Sequence, residues 1–146
     1  DAVNSSASFM PGGTVAFVGG QKQVRFVSVH TTSPWQGDWR QWKRSLDELG
    51  LKRADEGTRY VFMGDFNATM DHASMREFLG TRFHDAAYGS GHGFAFTAPA
   101  NLFAVPTLTA ADHVVVDSDM TAGQVQAKRV SGSDHAALLA TIDVGR

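Results

Sequence analysis

Arg59-Tyr-Val-Phe-Met-Gly-Asp-Phe-Asn67 decides how this chain is read. Tyr60, Val61, Phe62 and Met63 are apolar or strand-forming, and they run into Gly64 and then Asp65-Phe66-Asn67. That composition predicts a buried strand whose C-terminal end releases a carboxylate and a carboxamide into a turn. Chemistry concentrates at such strand ends, because the strand holds the backbone still while the following loop opens to solvent. Gly64 permits a bend or a close backbone approach just before the acid. Asp65 and Asn67 are two apart, so in extended geometry they share a face and Phe66 takes the other. Spacing alone fits a strand ending in an Asx-type turn equally well.

Upstream, Thr14–Val18 and Gln23–His30 read as two strands joined by a Gly19-Gly20 turn, a hairpin. In the second strand Val24, Phe26, Ser28 and His30 share one face, which places His30 at the strand's C-terminal end. Ser33, Pro34 and Gln36 form a helix start of the capping-box type. Trp35, Trp39, Trp42, Leu46 and Leu49 then make one apolar stripe, assigned to the core rather than to a ligand platform. Gly50 or Gly57 ends the helix.

Downstream, Asp71 is expected to cap a short helix, His72–Leu79, that turns Met75, Phe78 and Leu79 inward. Residues 80–111 read as loop-rich, with Phe94 and Phe96 as packing residues and His84 and His92 on the surface. Asp112–Asp117 is a strand that starts with an acid, and Gln124–Val130 is an outer strand. Ser131-Gly-Ser-Asp134-His135 is a tight turn that presents an acid and an imidazole. Ala136–Ile142 is the last strand.

The chain has 146 residues, 42% hydrophobic and 19% charged, enough for a single domain with a real core. Its formal net charge of -2 argues against binding nucleic acid by broad phosphate neutralisation, so any phosphate recognition is local. Arg82, Lys128 and Arg129 are too few and too scattered to argue for DNA. Cysteine is absent, which excludes disulfides and thiolate metal sites and fits an exported or a cytosolic protein equally. No apolar run approaches the roughly 20 residues of a membrane span. The chain begins at Asp1 with neither Met nor a signal-like segment, so it is expected to be internal to a longer gene product.

Strand ends thus carry His30, Asp65 with Asn67, Asp112, and Asp134 with His135. Two imidazoles and three carboxylates from separated segments suit acid–base chemistry, and Asp oxygens with a carboxamide suit a hard cation such as Mg²⁺ or Mn²⁺. There is no HExxH or CxxC pattern, no G-x-S-x-G elbow and no P-loop.

The segments VSVHTTSP, VFMGDFNAT, AADHVVVD and SGSDHAALLA resemble, in order and spacing, the C-terminal motifs of the endonuclease/exonuclease/phosphatase superfamily. These divalent-metal phosphodiesterases and phosphatases include deoxyribonuclease I, abasic-site endonucleases, sphingomyelinases and inositol-polyphosphate phosphatases. GDFN followed by S-D-H is the specific signal; either alone is weak. The resemblance implies an α+β fold that is part of a four-layer α/β/β/α sandwich. It also implies that residues 1–146 hold only the C-terminal half of the domain, incomplete on the N-terminal side.

By resemblance, His135 is the general base or orients the phosphate, and Asp112 holds its imidazole. Asp65 positions or deprotonates water and shares the metal with Asp134. Asn67 and His30 bind the phosphate oxygens, with His30 also assisting the leaving oxygen. The implied substrate is a phosphate ester; nucleic acid, phospholipid head group and inositol phosphate are not distinguished. Phe94 and Phe96 could stack on a base or line a lipid or inositol pocket. The family's first half supplies an Asn and a metal-binding Glu in a Q-E pair, and neither Asn4 nor Gln21 is followed by such a Glu. The alternative is therefore a binding or scaffold module that has lost its chemistry, and a third reading is an unrelated α+β domain with chance motifs. A sheet face meant for the other half is expected to be uncovered, which points to self-association. The H-T-T-S-P-W form most resembles bacterial members that place the domain behind membrane helices, which tilts localisation toward the cell envelope.

Overall fold

The computed structural model describes residues 3–4, 8–20, 22–34, 39–91, 93–100 and 107–145. Its centre is a five-stranded mixed sheet. The strands in spatial order are β3 (Gly12–Val15), β4 (Gln23–His30), β5 (Thr58–Asp65), β7 (Asp112–Asp117) and β6 (Phe83–Asp85). A two-residue pair, β1 (Val3–Asn4) with β2 (Phe9–Met10), precedes it. β4 and β5 are parallel and the other pairings antiparallel. The parallel step needs a crossover, which α1 (Trp39–Gly50) supplies, followed by a 3-10 turn, Leu51–Ala54. α2 (Ala73–Leu79) and α3 (Ala86–Gly89) lie between β5 and β7. β8 (Thr121–Arg129) and β9 (Ala136–Asp143) form a separate antiparallel hairpin with an irregularity between Ala122 and Val125.

Alternation along the strands feeds two cores. Val27, Val29, Tyr60, Phe62 and Val115 pack against Trp42, Leu46 and Leu49 of α1 and Met75, Phe78 and Leu79 of α2. Val24, Val61, Val114 and Val116 face the other way, against Met120 and Val125 and the partly buried Leu138, Ala140 and Ile142. Among the described residues the layers are thus helices, sheet, and a two-stranded second sheet. That second sheet is too narrow to cover the first. On the face shared with Val24 and Val61, Ser28 is exposed and its neighbour Met63 is 39% exposed. The expected uncovered strip is therefore present, at the end of the sheet that carries His30 and Asp65.

Several local expectations are corrected. β3 spans Gly12–Val15 rather than 14–18. α1 is described from Trp39, and the expected helix start, which includes Trp35 and Gln36, lies partly outside the described residues. Trp39 is 53% exposed, because in the first helical turn its ring carries the Arg40 guanidinium instead of packing on the sheet. His72, not Asp71, occupies the cap position of α2, and its Nδ1 accepts from the Thr69 N–H. The stretch after 80 contains β6 and α3, elements of three and four residues that periodicity cannot reveal. His92 and residues 101–106 lie outside the described residues. Arg82 pairs with the buried Asp117 and donates to the carbonyls of Lys52, Arg53, Asp55 and Thr58. Phe94 and Phe96 pack on each other but stay 51% and 44% exposed.

Candidate active site

The parallel pairing sets His30 directly opposite Asp65, and the antiparallel pairing sets Asp112 on the other side of Asp65. Three strand ends therefore deliver one imidazole and two carboxylates side by side. The turn 131–135 brings in His135, whose N–H donates to the Ser133 hydroxyl at 3.1 Å. Donor atoms of Asp65, Asp112 and His135 all lie within 4.8 Å of one another, and each residue is partly buried. That juxtaposition overturns the chance-motif reading, which required them to lie apart.

His135 Nδ1 donates to Asp112 Oδ2 at 2.7 Å. The same oxygen accepts from the hydroxyl of fully buried Thr97 at 2.6 Å. Burial opposes the charged ring, but the hydrogen bond and charge of Asp112 outweigh it, and His135 is held above its ordinary pKa. Asp65 is also raised, first by burial and further by the Asp112 charge, against the opposing Asn67 N–H and the two histidines. A buried carboxylate raised in this way beside a second carboxylate is an arrangement that a cation relieves.

The Asx-type turn and the candidate site are one feature. Asp65 Oδ1 accepts the Asn67 N–H at 2.7 Å, with Asn67 in the left-handed region at φ 46°. Asn67 Nδ2 donates to Thr31 O at 3.0 Å, which leaves its second N–H for another acceptor. The intervening Phe66 is buried, and its carbonyl accepts from both Thr31 Oγ1 (2.7 Å) and Trp42 Nε1 (3.0 Å). Trp42 is thus core and clamp together: its ring packs inside while its N–H, which needs a partner once buried, pins the Asp-Phe-Asn turn.

His30, Thr31, Thr32, Ser33, Asp65 and Asn67 line an open polar cleft with Ser8. His30 is exposed at its rim. Asp134 is exposed and stands outside the three-residue cluster; its carbonyl accepts from the Ala100 N–H at 2.7 Å. Sequence reasoning missed Thr97, Trp42's second role, and a buried pair behind the site, His113 with Asp85. The first two carry only the general signal that a buried hydroxyl or indole N–H needs a partner.

A layered α/β sheet domain with this cluster at its strand ends has the deoxyribonuclease I-like fold, of which this chain spans part. The sequence model of the Endonuclease/Exonuclease/phosphatase family matches residues 4–135, and the chain belongs to that family. No curated protein matches it. Among solved structures, a functionally unknown conserved protein from Enterococcus faecalis V583 is similar with TM-score 0.74 and 16% identity, covering 93% of this chain and 56% of that one. The mannosyl-6-phosphatase Bt3783 of Bacteroides thetaiotaomicron VPI-5482 is similar with TM-score 0.70 and 14% identity, covering 92% and 57%. D. rerio TDP2 complexed with single strand DNA product is similar with TM-score 0.70 and 18% identity, covering 93% and 62%. The chain therefore spans little more than half the length of these relatives. Among the described residues no helix is long and apolar enough to cross a membrane.

Proposed function

We propose that the chain carries the C-terminal part of the active site of a divalent-metal-dependent phosphoesterase. The observation that carries this reading is the Asp65–Asp112–His135 cluster beside the Asn67 carboxamide. His135, oriented through Nδ1 by Asp112, presents Nε2 to take a proton from water or to meet the phosphate. Asp65 holds the water on the other side. The second Asn67 N–H and His30 face the non-bridging oxygens, where charge builds in the transition state.

The donor set fits a hard cation: the carboxylates of Asp65 and Asp112, with Asp65 raised in pKa by burial and by its neighbour, beside one imidazole. Asp65 would hold it, and Asp134 on the facing turn is the second proposed ligand. When bound, Mg²⁺ or Mn²⁺ neutralises phosphate charge and polarises the P–O bond. Two structural neighbours, a mannosyl-6-phosphatase and a protein complexed with a single strand DNA product, support a phosphate ester without choosing monoester or diester.

The test is hydrolysis of bis(p-nitrophenyl) phosphate and p-nitrophenyl phosphate with Mg²⁺ or Mn²⁺ and an EDTA control. It is run on this chain and on the full gene product, each with His135→Ala. Metal-dependent turnover abolished by His135→Ala supports the reading; no turnover of either ester in either form refutes it and leaves the binding-module alternative. The exposed Ser28–Met63 strip supports self-association as a further proposal, tested by whether scattering gives a molar mass above the monomer's.

A further inference from the structure

Directly behind the site lies a second imidazole–carboxylate pair. His113 Nδ1 donates to Asp85 Oδ2 at 2.8 Å, nearly the separation of His135 and Asp112. The two pairs differ in access. His135 and Asp112 are 33% and 16% exposed at their side chains, whereas His113 and Asp85 are 4% and 6% exposed. Both nitrogens of His113 are also committed, since Nε2 donates to the Ala68 carbonyl at 2.7 Å. A ring that is sealed and fully bonded cannot touch a substrate. Its role has to pass through what it holds.

What it holds is the backbone immediately after Asn67. The Asp-Phe-Asn turn is pinned upstream by Thr31 and Trp42 on the Phe66 carbonyl. Downstream, the Ala68 carbonyl is pinned by His113. Between the two anchors Asn67 occupies the left-handed region, a conformation that a non-glycine residue keeps only when its surroundings enforce it. His113 is itself held in place. Its ring packs edge-on against Phe66 at 5.6 Å, and Asp85 is fixed as the cap of α3 by accepting the Tyr88 N–H at 2.9 Å. β7 thus places Asp112 toward the cleft and its neighbour His113 toward the turn that carries Asn67.

We infer that His113 is a positioning residue: its hydrogen bond to the Ala68 carbonyl holds Asn67 in the left-handed conformation that aims its carboxamide at the phosphate. The phosphate in that statement rests on the phosphoesterase reading; the hold on Asn67 does not.

Two substitutions separate the hold from mere packing. Glutamine places an amide N–H near the position of Nε2 and can reach the Ala68 carbonyl. Asparagine places one near Nδ1, reaches Asp85 only, and leaves the Ala68 carbonyl unpaired. The Asn67 side-chain amide pair is read by NMR, where the bond to Thr31 keeps its two protons apart and one of them slow to exchange. His113→Gln is expected to retain that signature, and His113→Asn to lose it. In the hydrolysis assay, on whichever form turns over, His113→Asn is expected to lower kcat about 10- to 100-fold with KM within about two-fold, the pattern of lost orientation. His113→Gln is expected to restore kcat to within about three-fold of wild type.

An Asn67 signature unchanged in His113→Asn overturns the inference, as does one lost in a folded His113→Gln. If the asparagine variant does not fold, the glutamine variant alone decides by the same signature. If no form hydrolyses a phosphate ester, the phosphoesterase reading fails while the Asn67 resonances still decide this one.

Discussion

Gly64→Ala is the substitution whose cost the structure defines most closely. Gly64 sits at φ +138°, a region that side-chain-bearing residues rarely adopt. A Cβ built there would lie 2.0 Å from the Val29 carbonyl oxygen, well inside contact distance, and the clashing atom is backbone of the parallel neighbour β4. Backbone strain of this kind costs about 1–3 kcal/mol. Forcing a methyl into packed surroundings costs roughly 1–3 kcal/mol more. The sum, about 2–6 kcal/mol, is a large share of the roughly 5–15 kcal/mol that holds a domain folded. With a urea slope of about 2 kcal/mol/M, the unfolding midpoint is expected to fall by about 1–3 M. Gly13→Ala is the control, since its Cβ would meet nothing within 4 Å and its backbone is not in that region; it is expected to be neutral or slightly stabilising. The strained pair Val29–Gly64 adjoins His30–Asp65, so any turnover should fall with the midpoint. A Gly64→Ala midpoint within about 0.3 M of wild type, in paired urea titrations, would refute the reasoning.

Phe62→Ala removes a fully buried ring with Tyr60, Phe78 and Phe83 centred 5.2–5.4 Å away, and should cost about 3–5 kcal/mol in chemical denaturation. A loss below about 1.5 kcal/mol would mean that the cluster repacks. Asp112→Asn removes the carboxylate that receives His135 and Thr97. Because Asp112 raises the His135 pKa, the rising limb of the kcat–pH profile should move to lower pH while the maximum drops by roughly 10²-fold or more; an unshifted limb counts against His135 as the base. His113 and His135 are both held above 6.5 in the fold, so the stability they add is complete below pH 6.5 and is lost as pH rises through their raised values. The wild-type urea midpoint should therefore fall above pH 6.5, and His113→Gln should remove part of that fall. A midpoint flat over this range would show that the rings gain nothing from their partners.

Much of this protein is legible in local chemistry. The hydrophobic run ending in Gly-Asp-Phe-Asn names a buried strand and the turn that ends it, because strand burial and turn chemistry are both written in consecutive residues. The Trp42–Leu46–Leu49 stripe and the Ser-Gly-Ser-Asp-His turn are legible for the same reason. Family motifs in order then point to His30, Asp65, Asn67, Asp112 and His135 as one candidate site, although no spacing shows that they touch.

What only the tertiary structure decided are pairings between residues far apart in the chain. Thr97 on Asp112, Trp42 on the Phe66 carbonyl, and His113 between Asp85 and Ala68 each join segments 15 to 45 residues apart. A buried polar group must find a partner, and the requirement is visible in sequence for any indole or imidazole on a buried element. Which partner it finds depends on sheet register and on where a short element such as β6 or α3 falls. Single-residue burial is decided in the same way. Trp39 and Trp42 sit on one helical stripe, yet one is exposed under the Arg40 guanidinium and the other is buried in the core, with its N–H on the Phe66 carbonyl.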